Sequence, residues 1–203
     1  MLDKIYVFDD IIDLDYQNKI KKKLLGEEKF PWYYIEDVSS SDSGNQKRGG
    51  FTHGYVNEDG IESDYHYLFL DLIKKSCSKI GVKEVNAILG RSFLQLPTNI
   101  KKQDVDTPHT DLPVDHFVML YYVCDSDGDT IIYNEKCSDL NEFNNNLNVV
   151  EKTRFSIQRK IAPKQGRVVL FNGRLYHTAE QPNHNLRCVV NYDLRDLSVD
   201  SDI

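Results

Sequence analysis

His109 and Asp111 stand two residues apart in the run Asp106-Thr-Pro-His-Thr-Asp-Leu-Pro113, with Pro108 and Pro113 on either side. Proline fixes its own φ and biases the residue before it toward extended geometry, so this run is predicted to be extended rather than helical. In an extended chain side chains i and i+2 leave from one face, which aims an imidazole and a carboxylate at a common point. A second histidine would complete a two-histidine, one-carboxylate face, a donor set that suits non-haem Fe(II) and leaves coordination positions open. His177 is the candidate. Alone, the His-x-Asp spacing is a weak motif, and its plainer reading is a histidine hydrogen-bonded to a nearby aspartate at a loop edge.

Holding three such groups together takes a scaffold. Residues 5–12 read as a first short strand, and Asp13 as the N-cap of a helix over about 14–25 that carries Tyr16, Ile20 and Leu24 on one side and stops at Gly26. Lys21, Lys22 and Lys23 fit its solvated face. Phe30-Pro-Trp-Tyr-Tyr-Ile35 is predicted to be a strand packed in the core, although aromatic residues also line substrate grooves. From Ser39 to Gly60 the chain is polar and glycine-rich, which predicts a long loop serving as link or lid, with His53 as a surface histidine. Ser63 precedes a second helix running to about Ile80, with Leu68, Phe69, Leu72, Ile73 and Cys77 at helical spacing and Gly81 ending it; His66 in its first turn reads as structural.

Beyond Gly81 the pattern changes to short strands, at 84–96, 116–124, 129–134, 152–161, 167–171, 174–179 and 186–194. Asp125-Ser-Asp-Gly-Asp129 resembles a calcium loop only in composition. Its glycine comes too early and Lys136 stands where a bidentate glutamate is required, so an Asp-Gly hairpin turn is the reading. Residues 135–150 are asparagine-rich and predict a long loop between strands. Two helices followed by many short strands imply an α+β domain, mainly β, with a jelly-roll core, and the whole chain, 1–203, reads as a single domain.

Composition narrows the function classes. A chain of 203 residues can bury about 70% of its unfolded surface in one domain. A net charge of −7 argues against a nucleic-acid partner, because phosphate neutralisation calls for a basic face. No apolar run approaches a membrane span, and Met1-Leu-Asp-Lys-Ile5 has no secretory character. Cys77, Cys124, Cys137 and Cys188 are scattered, which fits free thiols in a reducing cytoplasm better than a disulfide framework; a zinc site has no spacing in its favour.

The last strands add the second half of the argument. Pro163-Lys-Gln-Gly166 is a turn, Arg167 to Phe171 a buried strand and Asn172-Gly173 another turn. His177 and Arg187 are then expected to face each other across a hairpin turning at 181–185. Arginine's rigid fork grips a carboxylate through two parallel charge-assisted bonds, so Arg187 could hold the far end of a dicarboxylate that chelates a metal.

These pieces together resemble the 2-oxoglutarate- and Fe(II)-dependent oxygenases, in particular the prolyl-4-hydroxylase-like branch. They are His109-Thr-Asp111, the strand Leu120-Tyr-Tyr-Val123, Gly128 to Tyr133, Pro163-Lys-Gln-Gly166 with Leu170-Phe171, and His177 with Pro182 and Arg187. The resemblance covers residues 88–195 in order, while 1–85 match as generic helical support and lid. It implies a double-stranded β-helix (jelly roll) over 86–195, with N-terminal helices supporting it. It further implies His109, Asp111 and His177 as iron ligands, Arg187 on the C5 carboxylate of 2-oxoglutarate, and Tyr122, or its neighbour Tyr121, as a second donor there. The chemistry implied consumes molecular oxygen and 2-oxoglutarate, releases succinate and CO2, and hydroxylates a prolyl or other protein side chain. The same chemistry on a small molecule or nucleobase, and a jelly-roll binding module without catalysis, are the alternatives. The chain departs from the branch at Phe93-Leu-Gln-Leu-Pro97, where a tyrosine is usual and Gln95 is the available polar group, and in carrying arginine where collagen-type enzymes have lysine. The loops 39–60 and 135–150 are expected to flank the site and select substrate. His116 and His184 read as structural or solvent-exposed.

Overall fold

The computed structural model describes residues 2–26, 29–38, 49–98, 105–138 and 154–198. In chain order its elements are β1 (Tyr6–Phe8), α1 (Leu14–Leu25), β2 (Tyr33–Ile35), β3 (Gly50–Asn57), β4 (Gly60–Ile61), a 3-10 turn (Asp64–Phe69), α2 (Leu70–Lys79), β5 (Val85–Gln95), β6 (Phe117–Tyr122), β7 (Thr130–Lys136), β8 (Ile157–Ile161), β9 (Val168–Asn172), β10 (Leu175–Ala179) and β11 (Arg187–Asp196). The large antiparallel sheet has the order β1-β9-β6-β11-β5-β3-β2, with β4 on β3, and a small sheet has the order β10-β7-β8. Residues 105–109 lie against β10 through isolated bridges, Val105 to Glu180 and His109 to His177. From β5 onward the chain passes to and fro between the two layers, and this alternation makes the core a double-stranded β-helix.

Side-chain parity explains the layers. Phe117, Met119, Tyr121 and Val123 join one core cluster with Ile20, Leu24, Phe69, Leu72, Ile73 and Cys77, and so face the helices. Val118, Leu120 and Tyr122 join Ile132, Ile161, Val169, Phe171, Leu175 and Val189 between the sheets. All of β6 is therefore buried, as a continuous apolar run should be when both faces are covered. β11 obeys the same rule: Cys188, Val190, Tyr192 and Leu194 pack toward the helices. Its residues of opposite parity, Arg187, Val189, Asn191 and Asp193, are thereby turned between the sheets.

Helix α1 starts where expected, with Asp13 accepting the Tyr16 amide at 2.8 Å, and ends at Gly26. The second helix is split, since Asp64–Phe69 forms 3-10 geometry and only Leu70–Lys79 is α-helical. Three expectations need correction. Residues 50–57 are no loop but β3, paired with both β2 and β5, and His53 is buried there with its ring nitrogens on Pro31 O and Ser63 Oγ. Its pattern, Gly-Phe-Thr-His-Gly-Tyr-Val, hid the strand because glycine twice stands where a side chain should; the rest of that loop, 39–48, lies outside the described residues. Asp125 to Asp129 makes no hairpin, because β6 and β7 belong to different sheets. There Asp127 accepts the backbone amides of Asn183, His184 and Asn185 at 3.1, 2.9 and 3.1 Å, tying one crossover to another. Likewise β10 and β11 belong to different sheets, so His177 and Arg187 stand on opposite layers of the sandwich rather than across a hairpin. Residues 139–150 of the asparagine-rich stretch lie outside the described residues. The four cysteines are buried and form no disulfide, and among the described residues no helix is long and apolar enough to cross a membrane.

The edge strand β1 is clasped to the turn before β9. Arg167 grips Asp9 with Nε on Oδ1 at 2.7 Å and Nη2 on Oδ2 at 3.1 Å, and Lys164 adds a bond at 3.0 Å. The Arg167 bond above all lowers the Asp9 carboxyl from 3.8 to about 2. A carboxyl depressed by folding stabilises the fold above its ordinary range and loses that contribution as pH falls through its folded value. Asp9 is one-third exposed, so Asp9→Asn is expected to cost about 1 kcal/mol at neutral pH. Urea unfolding of the two proteins should show this difference vanish between about pH 4 and pH 2.

Candidate active site

The two histidines are brought together by backbone. His109 N–H donates to His177 O at 3.0 Å and His177 N–H to His109 O at 2.9 Å, a directly opposed antiparallel pair. Their side chains therefore leave on one side, with ring centroids 4.7 Å apart. Each Nδ1 lies against a carbonyl two residues earlier, Thr107 O at 3.0 Å and Leu175 O at 3.1 Å. A carbonyl accepts only, so Nδ1 carries the proton in both rings and Nε2 is left as the donor nitrogen. Asp111 follows two residues on, at a bend in the chain, with its Oδ2 3.3 Å from His177 Nε2. One donor atom from each of His109, Asp111 and His177 falls within 4.8 Å of the other two. This is the grouping read from the sequence, and its two imidazoles and one carboxylate are the donor chemistry of a divalent iron site. Burial, with His177 close by, lowers His109 to about 4 and keeps it neutral. Burial alone would raise the Asp111 carboxyl, but the neighbouring His177 and the Arg91 guanidinium outweigh it and hold it well below its ordinary value.

The site opens into a cleft of about 610 Å³ between the sheets. At its far side lies Arg187, buried and bound to three uncharged acceptors: Gly128 O at 3.0 Å, Gln95 Oε1 at 2.9 Å and Thr130 Oγ1 at 2.8 Å. Among the described residues its hydrogen bonds go to neutral oxygens, and such a buried guanidinium is a strong site for a carboxylate reached through the cleft. Tyr122 stands one layer behind: its hydroxyl donates to Thr130 Oγ1 at 2.7 Å, and Thr130, Gln95 and Arg187 line the cleft. Tyr121 faces the helices. Beside Gln95, Asp106 also lines the cleft and accepts from Gln181 at 2.7 and 2.8 Å, in a network closed by Thr178 on Asp106 O.

Sequence reading overlooked Arg91 and Asn191. They are opposite each other on β5 and β11, and both reach Asp111, Arg91 Nη2 at 2.5 Å from Oδ1 and Asn191 Nδ2 at 3.4 Å from Oδ2. A parity signal existed, since Arg91, Phe93 and Gln95 share one face of β5 and Arg187, Val189 and Asn191 one face of β11. Only the pairing of those strands, which no sequence pattern states, shows that they form three rungs: Gln95–Arg187, Phe93–Val189 and Arg91–Asn191. His116 is buried against Asp193, Nε2 to Oδ1 3.5 Å, while His184 is exposed at a turn. Burial lowers His116 and raises the Asp193 carboxyl well above its ordinary value. A Cβ at Gly173 would enter the His116 ring. Gly173→Ala is therefore expected to destabilise the fold by about 1–3 kcal/mol, measured by urea unfolding.

No sequence-family model matches the chain, and no curated protein matches it by sequence. Solved structures do. A 2OG-Fe(II) oxygenase family oxidoreductase from Burkholderia pseudomallei superposes with a TM-score of 0.66 at 12% identity, over 95% of this chain and 85% of that one. A prolyl hydroxylase from Trichoplax adhaerens, in complex with a hypoxia inducible factor peptide fragment, gives 0.61 at 13% identity over 98% and 87%. HygX from Streptomyces hygroscopicus, with nickel and 2-oxoglutarate bound, gives 0.59 at 12% over 95% and 83%. The jelly-roll core and its helical support are thus those of the 2-oxoglutarate- and Fe(II)-dependent oxygenases, and the chain has their fold.

Proposed function

We propose that this chain is an Fe(II)- and 2-oxoglutarate-dependent oxygenase that hydroxylates a prolyl or other protein side chain. The observation that carries the reading is the convergence of His109, Asp111 and His177 within 4.8 Å in a cleft that also presents the buried fork of Arg187. Bound Fe(II) and 2-oxoglutarate would supply the oxidising chemistry, with O2 consumed, succinate and CO2 released and one oxygen atom transferred to the substrate. The residues do the rest. His109 and His177 offer Nε2, their orientation fixed by the Thr107 and Leu175 carbonyls. Arg187 binds the C5 carboxylate, held rigid by Gly128, Gln95 and Thr130. Phe93, Leu120 and Val189 give the cleft apolar walls that limit water around the cosubstrate.

A protein substrate is supported by the mouth. Ile35, Asp37 and Val38 line it, and they continue from β2, the end strand of the large sheet, where Tyr33 and Tyr34 are exposed. An extended segment laid along such an edge can place one side chain in the cleft. The cleft volume also suits a small molecule, which is the second reading. Four buried cysteines without a disulfide support a reducing, cytoplasmic setting.

His109→Ala and His177→Ala are each expected to abolish Fe(II)-dependent succinate formation from 2-oxoglutarate; full turnover in either variant disproves the reading. Arg187→Ala is expected to raise the KM for 2-oxoglutarate on the order of a hundredfold, through loss of a buried charged pair. Mass spectrometry of peptide and metabolite mixtures incubated with the loaded enzyme should find the added oxygen on a peptide; an oxygenated metabolite instead selects the second reading.

A further inference from the structure

The two oxygens of Asp111 are used differently. Oδ2 is the oxygen beside His177 Nε2, at 3.3 Å, with the Asn191 amide at 3.4 Å. Oδ1 is taken by Arg91, and the Asp111 side chain is nearly fully buried. The guanidinium is itself held over the Phe93 ring, 5.1 Å from its centroid, and Arg91 sits opposite Asn191 in the strand register. Two neighbouring strands thus present one cation and one amide to a single carboxylate, the cation on the oxygen turned away from His177.

This matters because a carboxylate can bind a metal through one oxygen or through both. A facial set of three protein donors leaves three positions on an octahedral ion, two for a chelating oxoacid and one for dioxygen. A carboxylate binding through both oxygens would fill one of these. A charge-assisted bond from arginine removes one oxygen from that competition.

We propose that Arg91 is a positioning residue that commits Asp111 to binding metal through Oδ2 alone and so keeps a coordination position open. This rests on the metal-centre reading of His109, Asp111 and His177 given above. Arg91 needs no contact with substrate or cosubstrate for this role. It acts on the geometry of the carboxylate.

The test uses Mn(II) added to the full chain without substrate. Water-proton relaxation counts the exchangeable waters on the bound ion, and the free-Mn(II) electron-spin signal reads affinity. Arg91→Ala is expected to bind Mn(II) with one exchangeable water fewer than wild type, its freed Oδ1 having joined the metal. Arg91→Lys, which keeps a cation within reach of Oδ1, is expected to restore the wild-type count. Arg91→Met keeps the stem packed on Phe93 and carries the same expectation as alanine should the smaller variant fail to fold. An unchanged water count in Arg91→Ala and Arg91→Met, with Mn(II) bound in each, overturns the proposal. Wild type binding Mn(II) no more tightly than His177→Ala would instead remove the metal-centre reading itself, so the two failures are told apart.

Discussion

The reciprocal pair of backbone hydrogen bonds between His109 and His177 is the constraint on which the site depends. In an antiparallel ladder a directly opposed pair of this kind has its Cα atoms about 5.5 Å apart and its side chains on one face. No side-chain attraction is then needed to bring the imidazoles together; the sheet does it before any ligand arrives. Asp111 takes its place two residues further along the same run, at a bend. Pro108, which holds the start of that run out of helix, is thus part of the site and lines the cleft, although its ring donates to nothing.

Around that pair the sandwich departs from ordinary core chemistry. One part of the space between the sheets is apolar, built on Val118, Leu120, Ile132, Val169 and Phe171. The rest holds Arg187, Gln95, Asp106, Gln181, Asp111, Asn191, Asp193 and His116, which would be costly to bury singly. The cost is offset by linkage. Tyr122 supports Thr130, Thr130 and Gln95 support Arg187, and Gln181 supports Asp106. Near Asp111, His116 and Asp193 form a buried pair beside that of Arg91 with Asp111.

Much of this was legible in the chain. Asp13 and Gly26 bound α1 as read, and the strands from β5 onward overlap the spans that alternation and turn residues gave, with β7, β9 and β11 running one or two residues past them. The grouping of His109, Asp111 and His177 was read from residue types, proline geometry and order, because those are local properties. Sheet partnership is not local, and the misreadings follow from that. Asp127-Gly128 looks like a hairpin turn in sequence, yet it carries the chain from one layer to the other. β3 was mistaken for a loop because Gly50 and Gly54 interrupt its pattern; a Cβ at Gly50 would strike Val38, and one at Gly54 would strike Glu62. Arg91 went unremarked because an arginine in a strand reads as exposed until its partner strand is known.

The parity of β11 has a consequence for how this chain can change over time. Its odd-numbered residues from 187 to 191 line the cleft while the even-numbered ones anchor the helices, so the strand carries two interleaved messages in one stretch of sequence. Point replacements can edit either message alone. Losing or gaining one codon between Arg187 and Asn191 would exchange them wholesale, turning thiol and tyrosine into the cleft and a guanidinium into the helix-packed core. Length in this strand should therefore be far more rigidly kept than residue identity, and diversification confined to the loops around the mouth.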